Sequence, residues 1–176
     1  VTAFASFGVR KLRITGGEPL VRKDFMELMA RFSRHLGAGL NELTLTTNGT
    51  LLSKYAGDLS AIGVRRINVS LDTLKRDLFE KIARRDSLGD VLKGIDAAIA
   101  AGLKVKINTV ALANINEHEI PDLIRFAHDR GADITLIETM PMGEAETDRV
   151  EDFLSLNKVR ADLSKQFTLT DLDYTT

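Results

Sequence analysis

RITGGEPLVRKDF, residues 13–25, interrupts an alternating, strand-like run with two glycines, a carboxylate and a proline, after which a helix-like run begins. The same grammar recurs along the chain. Strand-like runs occupy about 10–15, 42–48, 65–71, 103–110 and 133–138. Helix-like stretches fall between them, at about 24–36, 51–62, 75–101 with a break near Ser87–Gly89, and 117–130, with a last helix at about 151–165. Gly37, Gly39, Gly63, Gly102 and Gly131 stand where helices end just before strands, the place of a left-handed cap. A repeating βα rhythm implies parallel strands joined by right-handed helical crossovers.

The strands then discriminate between α/β architectures. A doubly wound sheet is covered on both faces, so its strands are apolar nearly throughout. Here Leu12 and Ile14 oppose Lys11, Arg13 and Thr15; Leu43 and Leu45 oppose Thr44, Thr46 and Asn48. Ile67, Val69 and Leu71 oppose Asn68, Ser70 and Asp72, while Val105 and Ile107 oppose Lys104, Lys106 and Asn108. One oily and one polar face per strand predicts an α/β fold of the partial TIM-barrel type, helices outside and polar faces inward. The alternative is a sheet with helices on one side and water on the other. Against it, the polar positions are mostly small amides and hydroxyls with a few cations. Lys11, Arg13, Lys104 and Lys106 against Asp72 make that interior locally positive. Buried cations need a counter-anion, which a phosphorylated substrate would supply.

Composition sets the outer limits. The 176 residues are 44% hydrophobic and 28% charged, as in an ordinary globular domain, with a formal net charge of −1. That balance argues against nucleic-acid binding driven by bulk charge. No apolar run long enough to span a membrane and no leader peptide is visible, so a cytoplasmic protein without a membrane partner is expected. With no cysteine, these residues hold no disulfide, no catalytic thiolate and no thiolate-bound metal or cluster. Thr2–Phe7 reads as the end of an apolar helix closed by Gly8, and FTLTDLDYTT (167–176) as an extended run that stops. The expectation is a piece of a longer protein.

In βα barrels the working residues follow the C-terminal ends of the strands. Those ends are TGGEPL, TTNGT, SLDT, KINTV and IETMPMG. Gly16–Pro19 alone reads as a tight βα turn. Functionally, its glycines would let a ligand reach the backbone, with Glu18 adding charge. Thr47–Thr50 is alone an ordinary turn. Ser70 and Asp72 point the same way; Ser70 suits a carboxylate or hydroxyl, and Asp72 equally suits a helix cap. Lys106 on an inward strand position is harder to explain without a partner. Met140 and Met142 are in isolation more ordinary as core filler than as ligand contacts. His35, His118 and His128 lack metal-ligand spacing and read as surface or capping residues. Neither a dinucleotide fingerprint nor a P-loop is present. The acidic run GEAETDRVEDF (143–153) reads as a solvated loop and helix start.

Taken in order, KLRITGGEPLVR, LTLTTNGTLL, RRINVSLDTL, GLKVKINTV and LIETMPMGE closely resemble the GTP 3′,8-cyclases of molybdenum-cofactor biosynthesis, lyases of the radical S-adenosylmethionine (SAM) superfamily. The resemblance spans essentially the whole chain. GGEP alone indicates the superfamily, and its combination with TTNG, INVSLD and IETMPMGE is more specific. It implies a partial (β/α)6 barrel followed by a second, cluster-bearing domain. It places Gly16, Gly17, Glu18, Ser70 and Met140 at SAM, and Lys11, Arg13, Thr46 and Lys106 at GTP. Many members carry an arginine where this chain has Thr135.

The family's [4Fe–4S] clusters need cysteines that these residues lack. The resemblance therefore casts residues 1–176 as an incomplete core barrel, about strands two to six, without the cluster loop and the cluster domain. The implied reaction is reductive cleavage of SAM to methionine and a 5′-deoxyadenosyl radical. That radical takes the ribose C3′ hydrogen of GTP before closure onto guanine C8. The isolated chain is expected to be inactive, with no catalytic or metal-ligating residue of its own. A different radical SAM enzyme, of the peptide-modifying type, and a noncatalytic ligand-binding or assembly module are the alternatives. A first strand left unpaired would also offer an edge for a homodimer.

Overall fold

Strands whose side chains alternate oily and polar can be covered by helices on one face alone, and the chain folds accordingly. The structure, a computed structural model, describes residues 1–139 and 152–173. Five strands, β1 (Lys11–Ile14), β2 (Glu42–Thr47), β3 (Arg66–Ser70), β4 (Lys104–Ala111) and β5 (Asp133–Glu138), form one sheet in the order of the chain. Every neighbouring pair is parallel. Helices α1 (Thr2–Ser6), α2 (Phe25–Ser33), α3 (Leu52–Ala61), α4 (Arg76–Ala83), α5 (Leu88–Ala100), α6 (Ile120–Asp129) and α7 (Leu156–Leu163) fill the connections. Successive parallel strands in strict order, each reached by a right-handed crossover, put the crossover helices on one side and curl the sheet toward a barrel.

The apolar strand faces carry the core. Leu45, Ile67, Val69 and Ile107 are fully buried against Met29 of α2, Leu59 of α3 and Val91 and Ile95 of α5. The closest helix contact explains one glycine. A Cβ on Gly94 in α5 would stand 2.4 Å from the carbonyl oxygen of Gly49, so α5 reaches the loop after β2 because position 94 has no side chain. A second cluster, Ala111, Ile120, Leu154, Val159 and Leu163, fastens α7 to the end of β4 and the start of α6.

Two element boundaries differ from the sequence reading. The break in the 75–101 stretch lies earlier than Ser87–Gly89, because α4 ends on Arg84 in the left-handed region (φ 56). Asp86 then folds back onto the Arg76 guanidinium, and Gly89 falls inside α5. The last helix begins at Leu156 instead of near 151. Before it, Phe153 forms a bridge to Leu112 and the Ala113 N–H donates to the Asp152 carbonyl at 2.9 Å, so residues 152–154 extend β4's pairing. The Glu138 carboxylate at the end of β5 accepts the Leu156 N–H at 2.8 Å and so satisfies one of α7's open donors.

Candidate functional site

Beyond the ends of β1 and β2, one carboxylate organises two loops. Glu18 Oε1 accepts from the Leu20 N–H at 2.9 Å and from the Thr47 hydroxyl at 2.8 Å, while Oε2 accepts from the Asn48 N–H at 2.6 Å. Thr47 Oγ1 in turn accepts the Gly49 N–H at 3.1 Å. The GGEP and TTNG turns are thus one unit, with Glu18 as its centre. The charge that the sequence reading directs at a ligand is spent on the protein's own donors. The glycines beside it stay open: Gly16 has φ +132, and neither Gly16 nor Gly17 would bring a Cβ within 4 Å of another group. Gly17 therefore owes its identity neither to a left-handed backbone nor to packing within the chain. A bare backbone facing open space leaves room for a ligand to lie against it.

The ends of β3 and β4 are tied in a similar way. The Thr109 hydroxyl donates to the Leu71 carbonyl at 2.7 Å, and the Val110 N–H donates to Asp72 Oδ1 at 2.8 Å. Buried Asn116 donates to the Asp72 and Val110 carbonyls, both at 2.8 Å, and accepts the Leu112 N–H. Asp72 is thus a strap between strands and not a helix cap. Burial pushes its carboxyl above the ordinary carboxylate range, opposed by the Val110 N–H. Glu119, 3% exposed, accepts from the Thr73 hydroxyl at 2.8 Å and the Leu74 N–H at 3.3 Å, with Lys75 Nζ 3.7 Å away. His118, exposed, lies 2.9 Å from the same lysine.

Below this rim lies the polar face, ordered in rows by strand register. Thr46, Asn68, Lys106 and Asp133 occupy one row, and the Asn68 amide reaches the Thr46 hydroxyl at 3.4 Å. One layer lower, Arg13 is in register with Thr44, and Arg66 with Lys104. The Thr44 hydroxyl donates to the Arg66 carbonyl at 2.7 Å. Thr44 and Asn68 on this face are 0% and 2% exposed.

The structure therefore brings Arg13, Thr46 and Lys106 onto a single face, with exposed Ser70 at its rim opposite Asn108. Lys11 is on that face but occupied, with its ammonium 3.3 Å from Glu42 Oε2. Among the described residues, Arg13, Lys104 and Lys106 have no ion pair. The expectation of buried cations fails for Lys11, Arg13 and Lys104, which are exposed, while Lys106 is half-buried. Met140 and Met142, and most of the acidic run 143–153, lie outside the described residues. No group of three or more acids and histidines among the described residues could hold a metal. No helix among them is long and apolar enough to cross a membrane. Sequence reasoning missed Glu42 and Arg66, which extend the alternation of β2 and β3 by one step toward the N-terminus. It also missed Asn116 and Glu119, which loop sequence gave no means of pairing with β3.

The chain resembles known proteins at two levels. The profile of the radical SAM superfamily matches residues 1–127. GTP 3′,8-cyclase of Rhizobium etli is 59% identical over 175 residues, 99% of this chain and 50% of that protein. GTP 3′,8-cyclase of Brucella suis biovar 1 is 61% identical over 176 residues, 99% of this chain and 51% of that protein. The chain thus spans about half the length of the curated relatives it matches. Among solved structures, a tagged anSMEcpe with bound AdoMet superposes with a TM-score of 0.71 at 19% identity, covering 90% of this chain and 44% of that one. Streptococcus suis SuiB does so with 0.67 at 20% identity, covering 92% and 37%. At that identity the likeness shows the fold alone, a parallel α/β arrangement of the partial-barrel type.

Proposed function

Because the chain belongs to the radical SAM superfamily, we propose that it is the SAM- and GTP-binding barrel portion of a cytoplasmic GTP 3′,8-cyclase of molybdenum-cofactor biosynthesis. The observation that carries the reading is the arrangement of one face. Arg13, Thr46 and Lys106 sit together on the polar side of the sheet, one layer apart, below a GGEP corner whose Gly17 faces open space. The identity to curated cyclases supports the same substrate.

In such an enzyme, SAM bound beside a reduced [4Fe–4S] cluster supplies the radical that begins ring closure in GTP. The residues of this chain bind and orient. The carbonyls of the GGEP turn accept from the SAM ammonium, and Ser70 at the rim of β3 donates to a cofactor oxygen. Arg13 and Lys106 carry the negative charge of the triphosphate, with Thr46 as a hydroxyl contact held by Asn68. Because the 176 residues contain no thiolate, the cluster ligands would come from sequence outside them, and residues 1–176 alone would bind without turning over.

Titration calorimetry with GTP, guanosine and SAM tests the assignment. Arg13→Gln and Lys106→Gln are each expected to weaken GTP by about 10-fold or more while sparing guanosine and SAM. Gly17→Ala is expected to weaken SAM alone. Unchanged GTP affinity in both charge variants would remove the triphosphate from this face.

A further inference from the structure

The cross-sheet row that holds Arg13 also holds Arg66 and Lys104, the latter two on neighbouring strands and in register. Backbones of adjacent strands lie about 4.8 Å apart, so two cations side by side repel unless an anion lies between or above them. Glu42 is the one carboxylate among the described residues that pairs with a cation of this row. Its Oε1 is 3.0 Å from Arg66 Nη2 and its Oε2 is 3.3 Å from Lys11 Nζ. A single carboxylate thus answers two cations, and Arg13, Lys104 and Lys106 are left without an ion pair among the described residues.

The Arg66 pairing is itself incomplete. Its Nε is buried and has no hydrogen-bond partner, and Glu42 Oε1 receives no well-aligned hydrogen bond despite the 3.0 Å approach. A guanidinium matched to its carboxylate donates two parallel N–H bonds; this one makes a single misaligned contact. The Arg66 side chain is 21% exposed, so most of it is already desolvated and fixed by the strand. A planar, half-satisfied guanidinium on a positive face is built to take an oxyanion.

We propose that Arg66 is a further phosphate-recognising residue of this site, with Glu42 as the resident counter-ion that holds its guanidinium in place until a polyanion arrives. The proposal rests on the reading of the face as a nucleoside-triphosphate site. Because Nε is itself buried, a phosphate supplies the acceptor it lacks only once Glu42 releases the guanidinium and the side chain turns outward. Glu42, which pulls Arg66 and Lys11 toward itself, competes with the ligand for both.

The test is calorimetric titration of the intact protein with GTP, inorganic tripolyphosphate and guanosine. Arg66→Gln is expected to weaken GTP and tripolyphosphate about 10-fold or more and to leave guanosine unchanged, with Arg66→Lys recovering part of the loss. Glu42→Gln is expected to tighten both phosphate ligands several-fold and to steepen their salt dependence. A purely structural pair gives the opposite for Glu42→Gln, weaker binding of every ligand together with a lower melting temperature. That outcome overturns the proposal, as does phosphate affinity indifferent to Arg66→Gln. If Arg13→Gln and Lys106→Gln weaken GTP while Arg66→Gln does not, this assignment fails and the site reading stands. If none of the three matters, or the wild type binds no phosphate ligand, both fail.

Discussion

Replacing Glu18 by glutamine changes one atom of the clasp between the GGEP and TTNG turns. The carboxylate accepts three donors, the Leu20 N–H, the Thr47 hydroxyl and the Asn48 N–H. An amide has one acceptor oxygen. With that oxygen toward Leu20 and Thr47, the new NH2 faces the Asn48 N–H, donor against donor. Flipped, the oxygen serves Asn48 and the NH2 faces the Leu20 N–H; the Thr47 hydroxyl can rotate, but the backbone cannot. Either way one N–H loses its acceptor. Hydrogen bonds to charged groups are worth about 1.5–3 kcal/mol, and Asn48 is exposed enough for water to replace part of that. A net loss of about 2 kcal/mol is expected, which lowers the melting temperature of a chain this long by roughly 4–8 °C. Thermal unfolding of Glu18→Gln, Thr47→Val and the double variant gives the measurement, the double falling short of the sum because both remove one shared bond. If Glu18→Gln melts within about 1 °C of wild type yet loses SAM binding, the carboxylate serves the ligand, and the reasoning from its three protein partners is wrong.

Gly94→Ala would press a Cβ to 2.4 Å from the Gly49 carbonyl oxygen and 3.0 Å from Leu52 Cβ. A loss of about 1–3 kcal/mol in urea unfolding is expected, with exposed Gly57→Ala, which meets nothing within 4 Å, as the neutral or stabilising control. For Asp72, burial raises the folded-state carboxyl above its unfolded value, so its contribution to stability grows as pH falls through the folded value and levels off below the unfolded one. The stability difference between wild type and Asp72→Asn, followed by urea midpoints across that window, is expected to move in favour of wild type on acidification. The exposed acids Asp24, Asp86 and Asp162, lowered by their hydrogen-bonded arginine or lysine partners, pull the other way and cancel in the difference. A difference that does not move with pH would show Asp72 titrating as in water.

Period-2 alternation made the architecture legible. Once Thr44, Asn68 and Lys106 are seen to share a strand face with other polar residues, helices can lie on the opposite face alone, and the strand positions follow within a residue or two. Local chemistry decided less well where a non-glycine took a glycine's role, as at Arg84, or where a partner came from far along the chain. The strand-like pairing of residues 152–154 depends on Leu112, about forty residues earlier, and no local pattern could have announced it. The site shows the same division. Arg13, Thr46 and Lys106 were readable because a period of two assigns a face. The duties of Glu18, Asp72 and Glu119 were not, because a carboxylate's partners are settled by which loops meet.

Those duties bear on the sign of the site. Glu18 accepts three protein donors, Asp72 binds the Val110 N–H, and Glu119 accepts the Thr73 hydroxyl and the Leu74 N–H. Glu42 is divided between Lys11 and Arg66. These four acids are therefore held by groups of the protein, where their fields are compensated locally, whereas Asp133, in register with Lys106, is exposed to solvent. The cations are not matched in this way: Arg13, Lys104 and Lys106 make no ion pair among the described residues, and Arg66 makes half of one. Arg13 and Lys104 are exposed and Lys106 and Arg66 half-buried, so water and salt weaken, without removing, the repulsion among these charges. A multiply charged anion relieves several of these repulsions at once, whereas a single charge relieves few. For the proposed triphosphate site, affinity is therefore expected to climb from GMP through GDP to GTP in calorimetric titration by more than one added contact would give. Equal affinity for the three nucleotides would mean that the cations act separately, and that the row has no collective role.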